Sequence, residues 1–493
     1  MSEAAGCPWP RAQLEALFQA RFEHGSAPAL AAEVTRPGHP PARALCGAVD
    51  EAGHPPSERT AFRIASCTKS FTAAAALVVR RAGGLDLDTD IREWLPELRF
   101  TGAFAAEPVT VRQLLTMSSG LPEDDPWADR QESMPLEEFE LMMAAGVRLA
   151  SAPGARFRYS NLGYALLGRI LERASGTTYR DLVTGSLLRP LGLSDTAFTA
   201  EELTVPVVRG YRRAPDGWQP LPFSGPGGFS PIGGLFSTLQ DLRHWAQWLA
   251  AGAASADPSA AGTLSGGPLD VAERAEMQQI QQPMPLRPQD PPGTRRGYGF
   301  GLNVLEHPAA GRIVFHSGGY PGFSSQMRWH PASGTVALGL ENATYSRVGE
   351  AVTQALETAV GLSPACPAGP PVLAVAEEQC DAETWPELQE VRTALGAWLS
   401  DPTQAAERDL RARFSPTMDQ DQPWGERRAE WLRLRAAAGP LRPDEVRPDG
   451  GDAPAEIRWI VPGEHADLAC LAQLTPVEPP LVQKLEITAA DGA

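Results

Sequence analysis

Apolar residues over positions 10–23 recur at Leu14, Leu17, Phe18 and Phe22, the spacing of one buried face of an amphipathic helix. Two short runs follow, ALAAEVTR and ARALCGAVDE, separated by PGHPP, and predict a strand hairpin. The pattern then changes. After Lys69 the run FTAAAALVVRR is apolar on nearly every side and closes at Gly83 and Gly84, which predicts a helix buried all round. Further helices are predicted from Val109 in VTVRQLLTMSSGLP and in the second half of 153–176, the latter stopping at Ser175-Gly176. A glycine-rich turn and the helix STLQDLRHWAQWLA follow at 226–250, with Trp245 and Trp248 expected in the core. Residues 251–267 and 281–296, rich in Ala, Ser, Gly and Pro, predict surface loops around one short helix. From residue 312 three strand runs separated by turns appear, RIVFHSGG, SSQMRWHP and TVALGLEN, and then a helix over about 347–360.

SPACPAGPP, at 363–371, has the composition of a linker. Beyond it the pattern gives helices over about 383–400 and 422–438, then the strand runs EIRWIV, ADLACLAQLTP and VQKLEIT, with LRPDEVR a candidate strand before them. Helices followed by strands predict a second domain of α+β type, with a faint likeness to cystatin-like and NTF2-like cones. The predicted organisation is a domain over 1–362, a linker over 363–374 and a C-terminal domain over 375–493, with no internal repeat. The C-terminal domain carries no catalytic constellation; capping a cleft, pairing two chains into a homo-oligomer and binding a ligand are the roles it could take.

At 493 residues and 43% hydrophobic, the chain can bury more than one core. A net charge of −17 lacks the basic footprint that nucleic acid requires and disfavours an anionic membrane surface. No run is long and apolar enough to span a bilayer, and no basic start precedes an apolar stretch, so the expectation is a cytoplasmic protein without a secretory signal. Six cysteines are scattered without a CxxC pair, and the histidines form no ligand-spaced cluster. No disulfide framework, metal or cofactor is expected.

Lysine sharpens the picture. Of 43 lysines and arginines only Lys69 and Lys484 are lysine, and Lys69 stands three residues after Ser66 at the start of the all-apolar helix. At that spacing the two side chains share a helix face. A serine hydroxyl needs a base to become a nucleophile; a buried lysine can give up its proton to serve, whereas arginine stays protonated. Unpaired amides at the helix N-terminus favour the negative charge that develops. Tyr159 and Asn161, two apart in an extended stretch, can face one cleft. Tyr159 can relay a proton if cations hold it near the phenolate, and Asn161 can bind a substrate carbonyl. Equally, Asn161 can cap the next helix and Tyr159 can simply pack. In His316-Ser317-Gly318-Gly319, at a strand end, glycine allows a substrate backbone to approach the edge, and the next N–H can aim at an oxyanion; a plain strand-end turn fits the same letters.

Taken together and in order, S-x-x-K, Y-x-N and H-x-G resemble the serine β-lactamase and penicillin-binding-protein superfamily, in its class C β-lactamase-related branch with esterases and D-aminopeptidases. The resemblance covers about residues 10–360 and includes the blocks around VTVRQLLTMSSGLP, GGLFSTLQDLRHW and GYGFGL. It implies an α/β (α+β) fold, an antiparallel sheet flanked by helices plus an all-helical subdomain. It implies acyl transfer through Ser66, with Lys69 as base, Tyr159 exchanging protons, and Asn161, His316, Ser317 and Gly318 contacting substrate. The backbone N–H groups of Ser66 and Gly319 would form the oxyanion hole. The implied partner is a small ester or amide. Two departures stand out: with His316 in place of lysine a permanent positive charge is lost or becomes pH-dependent, and Met117 stands where relatives often have histidine. The histidine goes with esterases and peptidases more than with efficient β-lactamases. Rival readings are an acyltransferase using the same residues, a weak β-lactamase, and a binding protein that keeps the fold.

Overall fold

The computed structural model describes residues 9–50, 52–253, 267–362, 383–449 and 453–490. Helix α1 (Arg11–Glu23) leads into the antiparallel hairpin β1 (Ala29–Thr35) and β2 (Ala42–Gly47), as the periodicity predicts. The apolar run becomes α2 (Thr68–Arg81), buried along almost its whole length. Helix α3 (Asn161–Ser175) starts at the Ser160 cap and ends at Gly176, whose φ of 70° is the left-handed conformation that glycine adopts readily. After α4 (Leu239–Ala253) come β3 (Gln282–Pro283), β4 (Arg295–Tyr298), β5 (Asn303–His307), β6 (Gly311–Tyr320), β7 (Phe323–His330) and β8 (Thr335–Glu341), then α5 (Val348–Ala359). The stretch 281–296 is more than a loop, because its ends belong to β3 and β4 at the sheet margin. Of the predicted loop over 251–267, residues 254–266 lie outside the described residues, as does the predicted linker over 363–374.

One eight-stranded sheet runs in the order β2-β1-β8-β7-β6-β5-β4-β3, with every pairing antiparallel. Both faces are covered, so its central strands are buried without alternation: all eight residues of β7 and all seven of β8 are buried. Period two still sorts them. Leu30, Ala32, Val34 and Ala337 pack against α1 and α5, while Ala31, Val336, Leu338 and Leu340 join the larger core with α2, α3 and α4. Trp245 and Trp248 lie in that core, Trp245 stacked on Phe71 at 3.9 Å between centroids.

The C-terminal domain has its own apolar core, built from α6 (Pro386–Ser400), α7 (Trp424–Ala438) and a four-stranded antiparallel meander, β9 (Arg447–Pro448), β10 (Glu456–Val461), β11 (Leu468–Leu474) and β12 (Val482–Ala489). It docks firmly on the first domain. Val147 bridges to Val477, the Arg148 N–H donates to Pro476 O at 2.7 Å, and the Arg148 guanidinium pairs with Glu478 at 2.9 Å and Glu387 at 3.0 Å.

Candidate active site

Ser66 sits on a tight turn between the strand pair at Phe62–Arg63 and α2. The residue before it, Ala65, has φ of 48°, a strained conformation for a residue with a Cβ and one that collects at functional sites. Lys69, one turn on from Ser66 and in the first turn of α2, is wholly buried. Its Nζ lies 2.8 Å from Ser66 Oγ, 2.6 Å from Asn161 Oδ1 and 2.9 Å from the Ile232 carbonyl. Gly168 makes the last contact possible: a Cβ there would fall 2.1 Å from Pro231, so only glycine lets the 230–233 turn lie on α3.

Three partners around one amine have a chemical consequence. A carbonyl and the amide oxygen of Asn161 can only accept. A neutral amine has two N–H groups and one lone pair, so those two acceptors take the hydrogens and the lone pair points at Ser66 Oγ. Burial pushes the Lys69 ammonium down to about 8, against the opposing pull of Asp129, Asp125 and Asp124. At that value roughly a tenth of the molecules hold a neutral amine at neutral pH, against well under a thousandth for an ordinary lysine.

The same burial acts on its neighbours with opposite sign. Tyr159, hydrogen-bonded to Ser66, has its phenol pushed well above the ordinary range by desolvation and by Asp125, so it stands protonated. The Lys69 ammonium lies 5.1 Å over its ring. Cys67 points away from Ser66, its Sγ 3.3 Å from the His316 carbonyl, and burial raises its thiol to about 12, so it is a packing residue as expected.

The strand carrying the third motif borders this group. β5 pairs with β6 only as far as Phe315, which leaves residues 316–320 with an unpaired edge. The two glycines of that edge serve different neighbours. A Cβ on Gly318 would lie 2.2 Å from Ser325 Oγ and 2.5 Å from the Ile64 carbonyl, so Gly318 admits the nucleophile turn. A Cβ on Gly319 would lie 2.5 Å from the Tyr345 ring. Ser317 is exposed.

A model of the Beta-lactamase family matches residues 14–360. The chain belongs to the β-lactamase family. This is a family of serine hydrolases, and the resemblance drawn from the three motifs holds. Penicillin-binding protein 4* of Bacillus subtilis (strain 168) is 27% identical over 284 residues, covering 54% of this chain and 57% of its own length. The chain thus spans little more than half of that curated relative. The octameric penicillin-binding protein homologue from Pyrococcus abyssi superposes with a TM-score of 0.60 at 20% identity, covering 96% of this chain and 99% of its own. A class C β-lactamase superposes with a TM-score of 0.56 at 19% identity, covering 72% and 98%. The likeness to the archaeal protein therefore extends into the C-terminal domain, whereas that to the class C enzyme does not cover the whole chain.

Within this β-lactamase-family site the structure narrows the readings of three residues. Of the two alternatives at His316, the charge is lost rather than pH-dependent. Its ring is 2% exposed, Nδ1–H donates to Ser317 O at 2.6 Å and Nε2 accepts from Tyr298 Oη at 3.0 Å. Burial and the nearby Lys69 lower it to about 3, so it is neutral wherever the protein works. Asn161 holds Lys69 through its oxygen and donates one of its two Nδ2–H groups to Asp125 Oδ1 at 2.6 Å; the helix cap is Ser160, whose Oγ accepts from Gly163 N. For Tyr159 the condition of being held near the phenolate is not met, because burial raises its phenol. Tyr320 and Phe323, beside the third motif, are buried, with Arg63 over the Tyr320 ring. Met117, with φ of 56°, stands under the second motif, where its Sδ takes the Ser160 N–H at 3.4 Å.

The sequence reading missed the turn 123–129, EDDPWAD. Asp124 accepts from Asn161 N at 2.7 Å, Leu162 N at 2.9 Å and Ser160 Oγ at 3.0 Å, and so seats the start of α3. Asp129 accepts from Tyr345 Oη at 2.7 Å. Burial raises Asp124 to about 7 and also pushes Asp125 and Asp129 upward. The one signal was a tryptophan among acids, which is odd for a solvated loop.

Proposed function

We propose that the protein is a serine hydrolase that cleaves small esters or amides through an acyl-Ser66 intermediate. The observation that carries this reading is the Lys69 amine held by two pure acceptors with its third direction on Ser66 Oγ. In the first half-reaction Lys69 takes the Ser66 proton as Oγ attacks the carbonyl carbon. The N–H groups of Ser66 and Gly319 receive the oxyanion. The tetrahedral intermediate collapses as Tyr159, a phenol at rest, donates its proton to the leaving group and is reprotonated from Lys69. Water then attacks the acyl ester by the reverse proton path and frees Ser66. An alcohol acceptor would enter at the same step, so transesterification in added methanol separates hydrolase from acyltransferase.

The charge around the site narrows the substrate. Asp124, Asp125, Asp129 and Glu132 are buried and act on Lys69, or are acted on by it, while His316 is neutral. The nearby Arg63 faces Glu132 at 3.8 Å. Such a field disfavours a carboxylate beside the scissile bond, which makes β-lactams poor substrates and neutral esters or D-amino-acid amides better ones. The test is mass spectrometry of the protein quenched during turnover of 4-nitrophenyl acetate. An acetyl group on the peptide that carries Ser66 is expected; steady hydrolysis with that peptide unmodified would refute the reading.

A further inference from the structure

Gln483, on β12 of the C-terminal domain, is 1% exposed and reaches into the first domain. Its Nε2 donates to the Glu123 carbonyl at 2.9 Å and to the Leu474 carbonyl of its own sheet at 2.8 Å, and its Oε1 accepts the Trp127 N–H at 3.3 Å. The side chain therefore brackets the two aspartates between those positions. Asp124 seats the first amides of α3, and Asp125 holds the Asn161 amide whose oxygen holds Lys69. On the far side of the turn, Arg130 forms an ion pair with Asp421 of the same C-terminal domain. Every link in this path is a hydrogen bond to a buried group, where a lost partner leaves an unsatisfied donor or acceptor and forces rearrangement.

We infer that the C-terminal domain is a structural part of the catalytic site, with Gln483 a positioning residue that sets the direction of the Lys69 amine through the Asp124–Asp125 turn and Asn161. The inference rests on the hydrolase reading above. Gln483 touches no reacting atom. It holds the turn at both ends, so the domain need not cover the cleft to matter for turnover.

The test uses the full chain and 4-nitrophenyl acetate. Gln483→Met keeps the side-chain volume and removes all its hydrogen bonds. It is expected to lose roughly ten- to a hundred-fold in kcat, with KM within about twofold of wild type, because the base is misplaced while the acyl pocket is not. Glu478→Gln, which loosens the same interface at Arg148 but leaves the turn alone, should keep kcat within about twofold. Because Gln483 acts through Asn161, the double variant with Asn161→Ala should lose far less than the product of the single losses. A folded Gln483→Met enzyme with wild-type kcat overturns the inference, and so do losses that simply multiply. Should Gln483→Met fail to fold, Asp421→Asn releases the turn at its other end, and a few-fold fall in kcat is expected; no fall overturns the proposal. A wild type inert toward the ester would instead sink the hydrolase reading. Amide exchange then decides the positioning alone: Gln483→Met must speed exchange of the Asn161 and Leu162 amides, and unchanged rates there overturn it.

Discussion

The two lysines of this chain both bear on one carboxylate, that of Asp125. Everything else about them differs. Lys69 is fully buried and meets a hydroxyl, an amide oxygen and a carbonyl, with no carboxylate in direct contact. Lys484 follows Gln483 on β12, faces the other way by strand alternation, is a third exposed at 33%, and pairs with Glu486 at 3.2 Å. Burial without a direct counter-ion drives an ammonium to release its proton. The surroundings thus make one lysine a candidate base and the other a surface cation, and a chain that places arginine almost everywhere else keeps an amine at 69.

The sharpest break of that comparison is exchange to arginine at each site. Lys69→Arg, like Ser66→Ala, should cost about a thousandfold or more in kcat for 4-nitrophenyl acetate, because a guanidinium cannot take the serine proton. Lys484→Arg should stay within about twofold. Equal effects at the two positions would show that charge alone matters at 69. Next in size, Tyr159→Phe should lower kcat about a hundredfold with little change in KM, since the phenol acts as a proton donor and not as a binding group. Near wild-type kcat in a folded variant would remove it from the proton path.

The pH dependence follows from the sign of the Lys69 shift. The working form is the neutral amine, so the rate is low where Lys69 is protonated and rises as pH climbs through its pKa. kcat/KM should therefore rise to a plateau with a midpoint near the value of about 8. A midpoint at the ordinary lysine value would mean that burial does not govern the group. The smallest effect is a null one: the His316 ring, lowered to about 3, should show no change in its NMR ring-proton shifts between about pH 5 and 8. A titration in that range would restore the pH-dependent charge that the buried geometry denies.

Much of the fold was legible because it is local. The hairpin, the all-apolar α2, the Ser175-Gly176 stop of α3 and the three long strands are written in periodicity and turn residues. Ser66, Lys69 and Tyr159 were legible because their chemistry is specific. The rest depends on contacts between distant segments. Whether a histidine faces cleft or core depends on which face of β6 meets α2, and His316 faced inward. The hold of Asn161 on Lys69 and Asp125 was not legible, because nothing in its own neighbourhood reveals those partners. The turn 123–129 looked solvated because its acids are anchored by α3 on one side and by Gln483, some 360 residues later, on the other. Ile232 offers only a backbone carbonyl, which no side-chain pattern can announce.

The tandem glycines at 318 and 319 lead to a point about mutational routes. They sit side by side in sequence, yet each is held to glycine by a different obstacle on a different face of the strand: Ser325, the Ile64 carbonyl and Ala65 below, the Tyr345 ring above. An alanine at 319 could be rescued by a second change that shrinks residue 345, because a side chain can be traded away. An alanine at 318 has no such suppressor, since part of what it strikes is main chain. Two adjacent letters that look like one requirement are thus separate locks, and only one of them has a key elsewhere in the protein.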